Sequence, residues 1–346
     1  MHDTKPRVSI GLPVYNGERY LREALDTILA QTFRDFELII SDNASTDGTL
    51  AICKAYAASD ARIRYLRNEQ NLGATRNYNR TFEVARGEYF KWAAHDDLMA
   101  PEFLERCVTA LDQNPAAVVS YPIASFIDKN GQLLGQDFIG LSLRSPRPPQ
   151  RYAEYHQRFR RSRKCNPVFG LMRSSALRPT PLIGNYVSSD EVLLAELALR
   201  GEFCEIPKAL FFRRDHPESS VRKYRDRDRI VWFDPSKQGQ LHFPAWCLLQ
   251  GHASAIIRVP MGVSEKLLCW AELGKWGLRK KRALYSELLF ALKYTLRPLP
   301  AFIKLIVHGA WRVIRDTVHA IHLGVIALKR QPSKPSDSPE EHGVGH

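Results

Sequence analysis

Residues 8–33 read VSIGLPVYNGERYLREALDTILAQTF, and residues 36–49 read FELIISDNASTDGT. The first run is apolar from Val8 to Leu12 and stops at Pro13, as a short buried strand does. After it, Tyr20, Leu21, Ala24, Leu25, Ile28 and Leu29 fall on one side of a 3.6-residue period, which predicts an amphipathic helix. Phe36–Ser41 is strand-like again. A strand, a helix and a second strand in so short a span predict a βαβ unit, with its strands paired in parallel.

The alternation continues outward from there. Thr46–Ala58 reads helical, Ile63–Leu66 strand, Ala74–Ala85 helical, Tyr89–Ala93 strand, Pro101–Leu111 helical and Val118–Tyr121 strand. This predicts an α/β fold whose parallel sheet is covered on both faces, with ligands bound beyond the carboxyl ends of the strands. Further on, Asn130-Gly131 between Phe126-Ile127 and Leu133-Leu134 marks a hairpin, and Arg144–Gln150, with three prolines, a loop. Glu191–Leu199, closed by Gly201, reads helical and Ala209–Phe212 reads as a late strand.

Three polar clusters sit at strand ends: Pro13-Val14-Tyr15-Asn16-Gly17-Glu18, Ser41–Gly48 and His95-Asp96-Asp97. Singly, Asp42, Ser45 and Asp47 suit turns and helix caps, as Asp96-Asp97 would before the next helix. Their recurrence at successive strand ends points to a site. Two adjacent carboxylates repel unless a cation lies between them. Oxygen ligands of this kind suit Mg²⁺ or Mn²⁺, which keep waters and bridge substrate phosphates. There is no Gly-x-x-x-x-Gly-Lys loop and no Gly-x-Gly-x-x-Gly after the first strand, which disfavours P-loop and dinucleotide-binding folds.

Together with NEQNLGATRNYNRTFEVARGEYFKW at 68–92 and HDDLMAPEFLE at 95–105, these runs resemble the family 2 glycosyltransferases of the GT-A fold. The likeness is close over residues 7–120 and looser through Ser189-Asp190, Gly201 and Arg213–Pro217. It implies that Pro13, Tyr15, Asn16 and Glu18 line a nucleotide pocket, and that Asp42, beside Asn43, accepts a hydrogen bond from the base. Such an acceptor suits uracil, thymine or guanine better than adenine. It further implies that Arg76 and Asn77 support the diphosphate and that His216 lies near it. Asp96 and Asp97 take the place of the metal-binding acids, with Ala94 where a further acid is common. Asp190, eleven residues before Gly201, takes that of the general base, with Glu191 as its rival.

The reaction so implied is inverting transfer of a sugar from a UDP-, dTDP- or GDP-sugar to a hydroxyl of a glycan or lipid-linked acceptor, in surface polysaccharide biosynthesis. The competing reading is an inactive relative that serves as a binding or scaffolding subunit. Retention of Asp42, Arg76, Asp96, Asp97 and Asp190 together argues against it.

The chain has 346 residues, 50 Lys+Arg against 37 Asp+Glu, and a net charge of +13. Residues 264–331 carry 13 Lys+Arg and 4 Asp+Glu, a net of +9, so only +4 is left for the rest. With the charge concentrated there and no RNA- or DNA-binding pattern, nucleic acid is not the expected partner. The six cysteines show no CxxC spacing, and no apolar leader follows Met1, so the expected location is cytoplasmic, with reduced thiols. Past Asp234-Pro235 the character changes. Leu284–Leu296 reads helical, and 301–330 reads as an amphipathic helix with basic residues beside a long apolar face. That helix suits the inner face of an anionic plasma membrane, the alternative being packing on the catalytic domain or a twin subunit of a homo-oligomer. The expected organisation is a GT-A catalytic domain at 1–235, a helical extension at 236–330 and a disordered tail at 331–346.

Overall fold

The computed structural model describes residues 5–295, apart from 138–141, 163–165 and 225. The basic helix expected at 301–330 and the tail after it lie outside the described residues. Nine strands among these form one sheet: β1 (Val8–Val14), β2 (Phe36–Asp42), β3 (Ile63–Arg67), β4 (Tyr89–Trp92), β5 (Leu98–Met99), β6 (Ala117–Ile127), β7 (Leu133–Asp137), β8 (Leu171–Arg173) and β9 (Glu202–Arg214). Their order is β3-β2-β1-β4-β8-β6-β9-β5, with β7 paired to β6. The helices are α1 (Leu21–Leu29), α2 (Thr49–Ser59), α3 (Ala74–Glu83), α4 (Phe103–Asp112), α5 (Pro148–Ser162), α6 (Ser174–Leu177), α7 (Ser189–Arg200), α8 (Ser220–Lys223), α9 (Asp226–Phe233), α10 (Pro244–Arg258) and α11 (Val263–Thr295).

The first half is parallel as expected, β1 pairing with both β2 and β4, and β2 with β3. The second half is not, and the sheet is mixed. Strand β8 runs antiparallel between β4 and β6. It is only three residues long and follows Gly170, where a Cβ would come within 2.6 Å of the Ser120 carbonyl. A segment that short carries no readable period. The hairpin at Asn130-Gly131 forms, with Ile127 opposite Leu133 and Gly131 at φ 84°. The stretch expected to be a loop over Arg144–Gln150 already turns into α5 at Pro148, a residue suited to a first helical turn.

Register places the site. Val14 pairs with Asp42 and Gly11 with Trp92, so β1, β2 and β4 discharge their polar tails at one edge. Alternate residues of β1 and β2 (Val8, Ile10, Leu12, Leu38, Ile40) pack with Leu21, Leu25 and Ile28 of α1 and Phe103 and Leu111 of α4. Phe90, Trp92 and Val119 pack with Tyr152 of α5, Leu193, Leu194 and Leu197 of α7, and Ile256 of α10. Gly11 is required by α3, because a Cβ there would sit 2.2 Å from Thr81 Oγ1. Packing continues past residue 235: the compact unit runs to Leu284. Among the described residues, no helix is long and apolar enough to cross a membrane.

Candidate active site

The β1 and β2 tails are laced together. Asn16 N–H donates to Ser45 Oγ (2.9 Å), and Asn16 Oδ1 accepts from Thr46 N–H (2.8 Å). Glu18 Oε2 accepts from Gly48 N–H (2.9 Å), while Glu18 N–H donates to Asp47 Oδ2 (3.1 Å). Asn16 (φ 51°) and Ala44 (φ 62°) take the left-handed conformation, a strain that the surrounding bonds hold in place. Pro13 is buried in the strand, and Tyr15 presents its ring to solvent at 41% exposure.

Asp42 and Asn43 are more committed than their sequence role implies. Asp42 is fully buried, with Oδ1 accepting from Ser45 N–H (2.8 Å) and Oδ2 from Tyr65 Oη (2.8 Å) and Arg67 Nη1 (2.5 Å). Three of the roughly four acceptor positions of this carboxylate are thus taken within the fold. Asn43 is spent on Asn71, Asn68 and the Leu72 N–H. Asn77 is buried and clamps β2, donating to Ser41 O (2.8 Å) and accepting from Ser41 Oγ (2.7 Å). Its neighbour Arg76 is exposed on α3.

The acidic pair is held from the far side of the sheet. Leu98 pairs with Phe212, so β9 delivers Arg214 and His216 to Asp96 and Asp97. His216 Nε2–H donates to Asp96 Oδ2 (2.8 Å), Arg214 Nε to Asp96 O (2.9 Å), and Arg214 N–H to Asp97 Oδ1 (2.9 Å). The Arg214 guanidinium is buried, 4.6 Å over the Tyr20 ring, and also meets Glu23 at 2.6 Å. Tyr20 Oη and His216 Nδ1 are buried beside the pair with no partner among the described residues.

The two carboxyls are pushed apart electrostatically. Burial would raise Asp96, but the charge of His95 and the hydrogen bond from His216 outweigh it and hold the group below its ordinary value. Burial, and then the charge of Asp96, push Asp97 up to about 7. Among the described residues no cluster of three or more His, Cys, Asp or Glu could cage a metal. A divalent cation would therefore rest on Asp96 and Asp97 and draw its other ligands from phosphate and water, a common arrangement for Mg²⁺. The mutual repulsion that raises Asp97 is what such a cation would relieve.

Asp190 lies in the first turn of α7, its Oδ1 accepting from Glu191 N–H (3.1 Å). Tyr78 of α3 links it to the acidic pair. Burial raises this phenol first, and the charges of Asp96, Asp97 and Asp190 all raise it further, with Arg213 opposing them. Asp190 is thus near enough to act on the same phenol as the acidic pair. Glu191 instead faces inward: its carbonyl accepts from Tyr155 Oη (2.8 Å), and its carboxylate is 3.9 Å from His252 Nε2.

Several participants were not read as such from the sequence. In the sequence Arg213 and Arg214 belong to the run Arg213–Pro217 of the looser resemblance with no role given to them, and Tyr20 is one apolar position of a helix. Lys91 is fully buried in β4, its Nζ donating to Trp92 O (3.0 Å), and burial pulls its ammonium down to about 8. A lysine inside the apolar run Tyr89–Ala93 was the available signal.

Part of this sequence is shared with known proteins. The model of glycosyl transferase family 2 matches residues 9–179, covering the β1, β2 and β4 tails. Residues 9–179 are a family 2 glycosyltransferase domain, and the fold is GT-A. It is 38% identical over 133 residues to an uncharacterized glycosyltransferase of Rickettsia bellii, covering 37% of this chain and 19% of that protein. It is 33% identical over 135 residues to the glycosyltransferase GlyG of Streptococcus pneumoniae, covering 38% of this chain and 45% of GlyG. These matches span less than half of either relative. A mannosyltransferase of Pyrobaculum calidifontis, solved with GDP-Man and Mn²⁺, shares the fold with a TM-score of 0.51 at 18% identity, over 90% of this chain and 81% of that one. Asp190 and His216 lie beyond the family match.

Proposed function

We propose that this chain is an inverting glycosyltransferase that moves a sugar from a nucleoside-diphosphate sugar to an acceptor hydroxyl. The observation that carries the reading is the 2.8 Å contact of His216 with Asp96. It brings the β9 end to the acidic pair at the edge where the β1 and β2 tails also emerge. Tyr15, Asn16, Glu18 and Asn77 bound the nucleotide side, with the exposed Arg76 beside Asn77 in the first turn of α3.

Mg²⁺ or Mn²⁺ bound at Asp96 and Asp97 would neutralise charge on the departing diphosphate. His216 and Arg214 keep those carboxylates in place. Asp190 takes the proton of the acceptor hydroxyl as its oxygen bonds the anomeric carbon and the bond to the diphosphate oxygen breaks. One displacement from the opposite face inverts the anomeric centre. The P. calidifontis enzyme's GDP-Man and Mn²⁺ support a GDP-sugar as the first donor to try, with UDP- and dTDP-sugars beside it. For the acceptor, a glycan or lipid-linked saccharide of a surface polysaccharide fits the family. A cytoplasmic enzyme held to the inner membrane face through residues 301–330 fits the basic C-terminal sequence.

The test is Asp190→Asn, assayed with Mn²⁺ and a panel of nucleotide-sugars. Turnover should fall by about 10²-fold or more, because a general base is typically worth 10²–10⁴, while donor affinity stays within a few-fold. Unchanged turnover would remove Asp190 from the chemistry. Absence of donor binding by the parent chain would favour the scaffold reading.

A further inference from the structure

Helix α11 is apolar on two opposite sides. One side, with Cys269, Leu273 and Trp276, is buried in the core beside α10, the Trp276 ring lying 5.4 Å from His252. On the other side Val263, Leu267, Trp270 and Leu278 follow one another at helical spacing, with the small Ala271 and Gly274 filling the interval. These four are 78%, 64%, 40% and 71% exposed. Ile257 of α10, 64% exposed, borders the start of this stripe, since Lys266 Nζ donates to its carbonyl (3.0 Å). Single exposed apolar residues need no explanation, but a stripe about 22 Å long at 1.5 Å per residue does.

The flanks of the stripe decide what covers it. Residues 263–284 hold six Lys+Arg against two Glu. Lys275 and Arg279 pair with Glu272, and Lys280 lies 6.0 Å over the buried Trp276 ring, whereas Lys281 and Arg282 are exposed and make no ion pair among the described residues. A second copy of the chain would bring the same cations against themselves. Residues 296–346, with seven Lys+Arg and four Asp+Glu, are of the same sign. The occupant must be anionic. A single convex helix with a Trp among its aliphatics matches a fluid interface better than a shaped protein groove.

We propose that the outer face of α11, centred on Leu267, Trp270 and Leu278, lies on an anionic lipid surface. The apolar side chains enter the headgroup boundary, and Lys281 and Arg282 meet lipid phosphates. This contact is separate from the one assigned to residues 301–330.

The full-length protein is tested by co-sedimentation with phosphatidylcholine vesicles, with and without phosphatidylglycerol. Leu267→Gln with Leu278→Gln should lower binding to the anionic vesicles by about tenfold or more. Lys281→Gln with Arg282→Gln should lower it comparably there and leave neutral vesicles unaffected. All four positions are solvent-facing, so the melting temperature and turnover on a soluble acceptor should match the parent. Brominated lipid should quench the parent more than Trp270→Phe, a readout that residues 301–330 cannot supply. Equal binding by the variants, or equal quenching of parent and Trp270→Phe, overturns the proposal. So does capture by an acidic polypeptide without any vesicle binding.

Discussion

Arg214→Met tests whether the far strand holds the acidic pair. Methionine keeps most of the buried stem's volume but removes the guanidinium, whose buried bond to Asp96 O is a charged hydrogen bond worth about 1.5–3 kcal/mol. Loss of the stacking over Tyr20 adds about 0.5–2 kcal/mol. Glu23 is 57% exposed, so its pairing adds no more than about 1 kcal/mol. The total is about 3–5 kcal/mol, and at roughly 2–4 °C per kcal/mol for a domain of this size the midpoint should fall by about 10 °C. Asp97 keeps its bond from the residue 214 amide, but Asp96 loses its backbone anchor. Affinity for a Mn²⁺–nucleotide complex, read by calorimetry below the melting transition, should therefore drop about tenfold. Glu23→Gln should shift the midpoint by less than about 3 °C, which separates the exposed contact from the buried one. A methionine variant that melts and binds like the parent would refute the reasoning, because Asp96 would then be positioned by its own loop and His216 without Arg214.

Two further outcomes follow from the packing. Burial would raise Glu37, but hydrogen bonds from Ser9, Arg64 and the Arg86 amide outweigh it and hold the carboxyl below its ordinary value. A lowered folded-state value contributes stability that is full above the unfolded value, near 4.5, and is lost as pH falls through the folded one. Urea melts of Glu37→Gln should thus lie below the parent at pH 7 and converge with it toward pH 3; a constant gap across that range would show that the charge is not the cause. Gly11→Ala should cost at least about 1–3 kcal/mol, since its methyl meets both Thr81 and Phe90 within 3 Å. Pairing it with Thr81→Ser should recover only part, and a neutral Gly11→Ala would mean that α3 can shift off β1.

What could be read beforehand was what local pattern encodes. Val8–Leu29 declares a strand and a helix within itself, and the polar residues directly after β1, β2 and β4 declare the edge where chemistry occurs. Neither β8 nor the front of α11 does so. The first is too short for a period, and the second, apolar on two sides, lacks the single polar face by which helices are recognised. Asp42 and Asp96 illustrate the deeper limit. In the sequence both are acids at the end of an apolar strand. In the fold, Asp42 is consumed by Tyr65 and Arg67, 23 and 25 residues away, whereas Asp96 is aimed by Arg214 and His216, 118 and 120 residues away. The difference arises from the antiparallel pairing of Leu98 with Phe212, a two-residue strand against a long one. Residue type states what a side chain can bond; only closure of the sheet decides which acids have that capacity left for a ligand. In this chain it ties Asp42 to its neighbours on β3 and aims Asp96 with the end of β9.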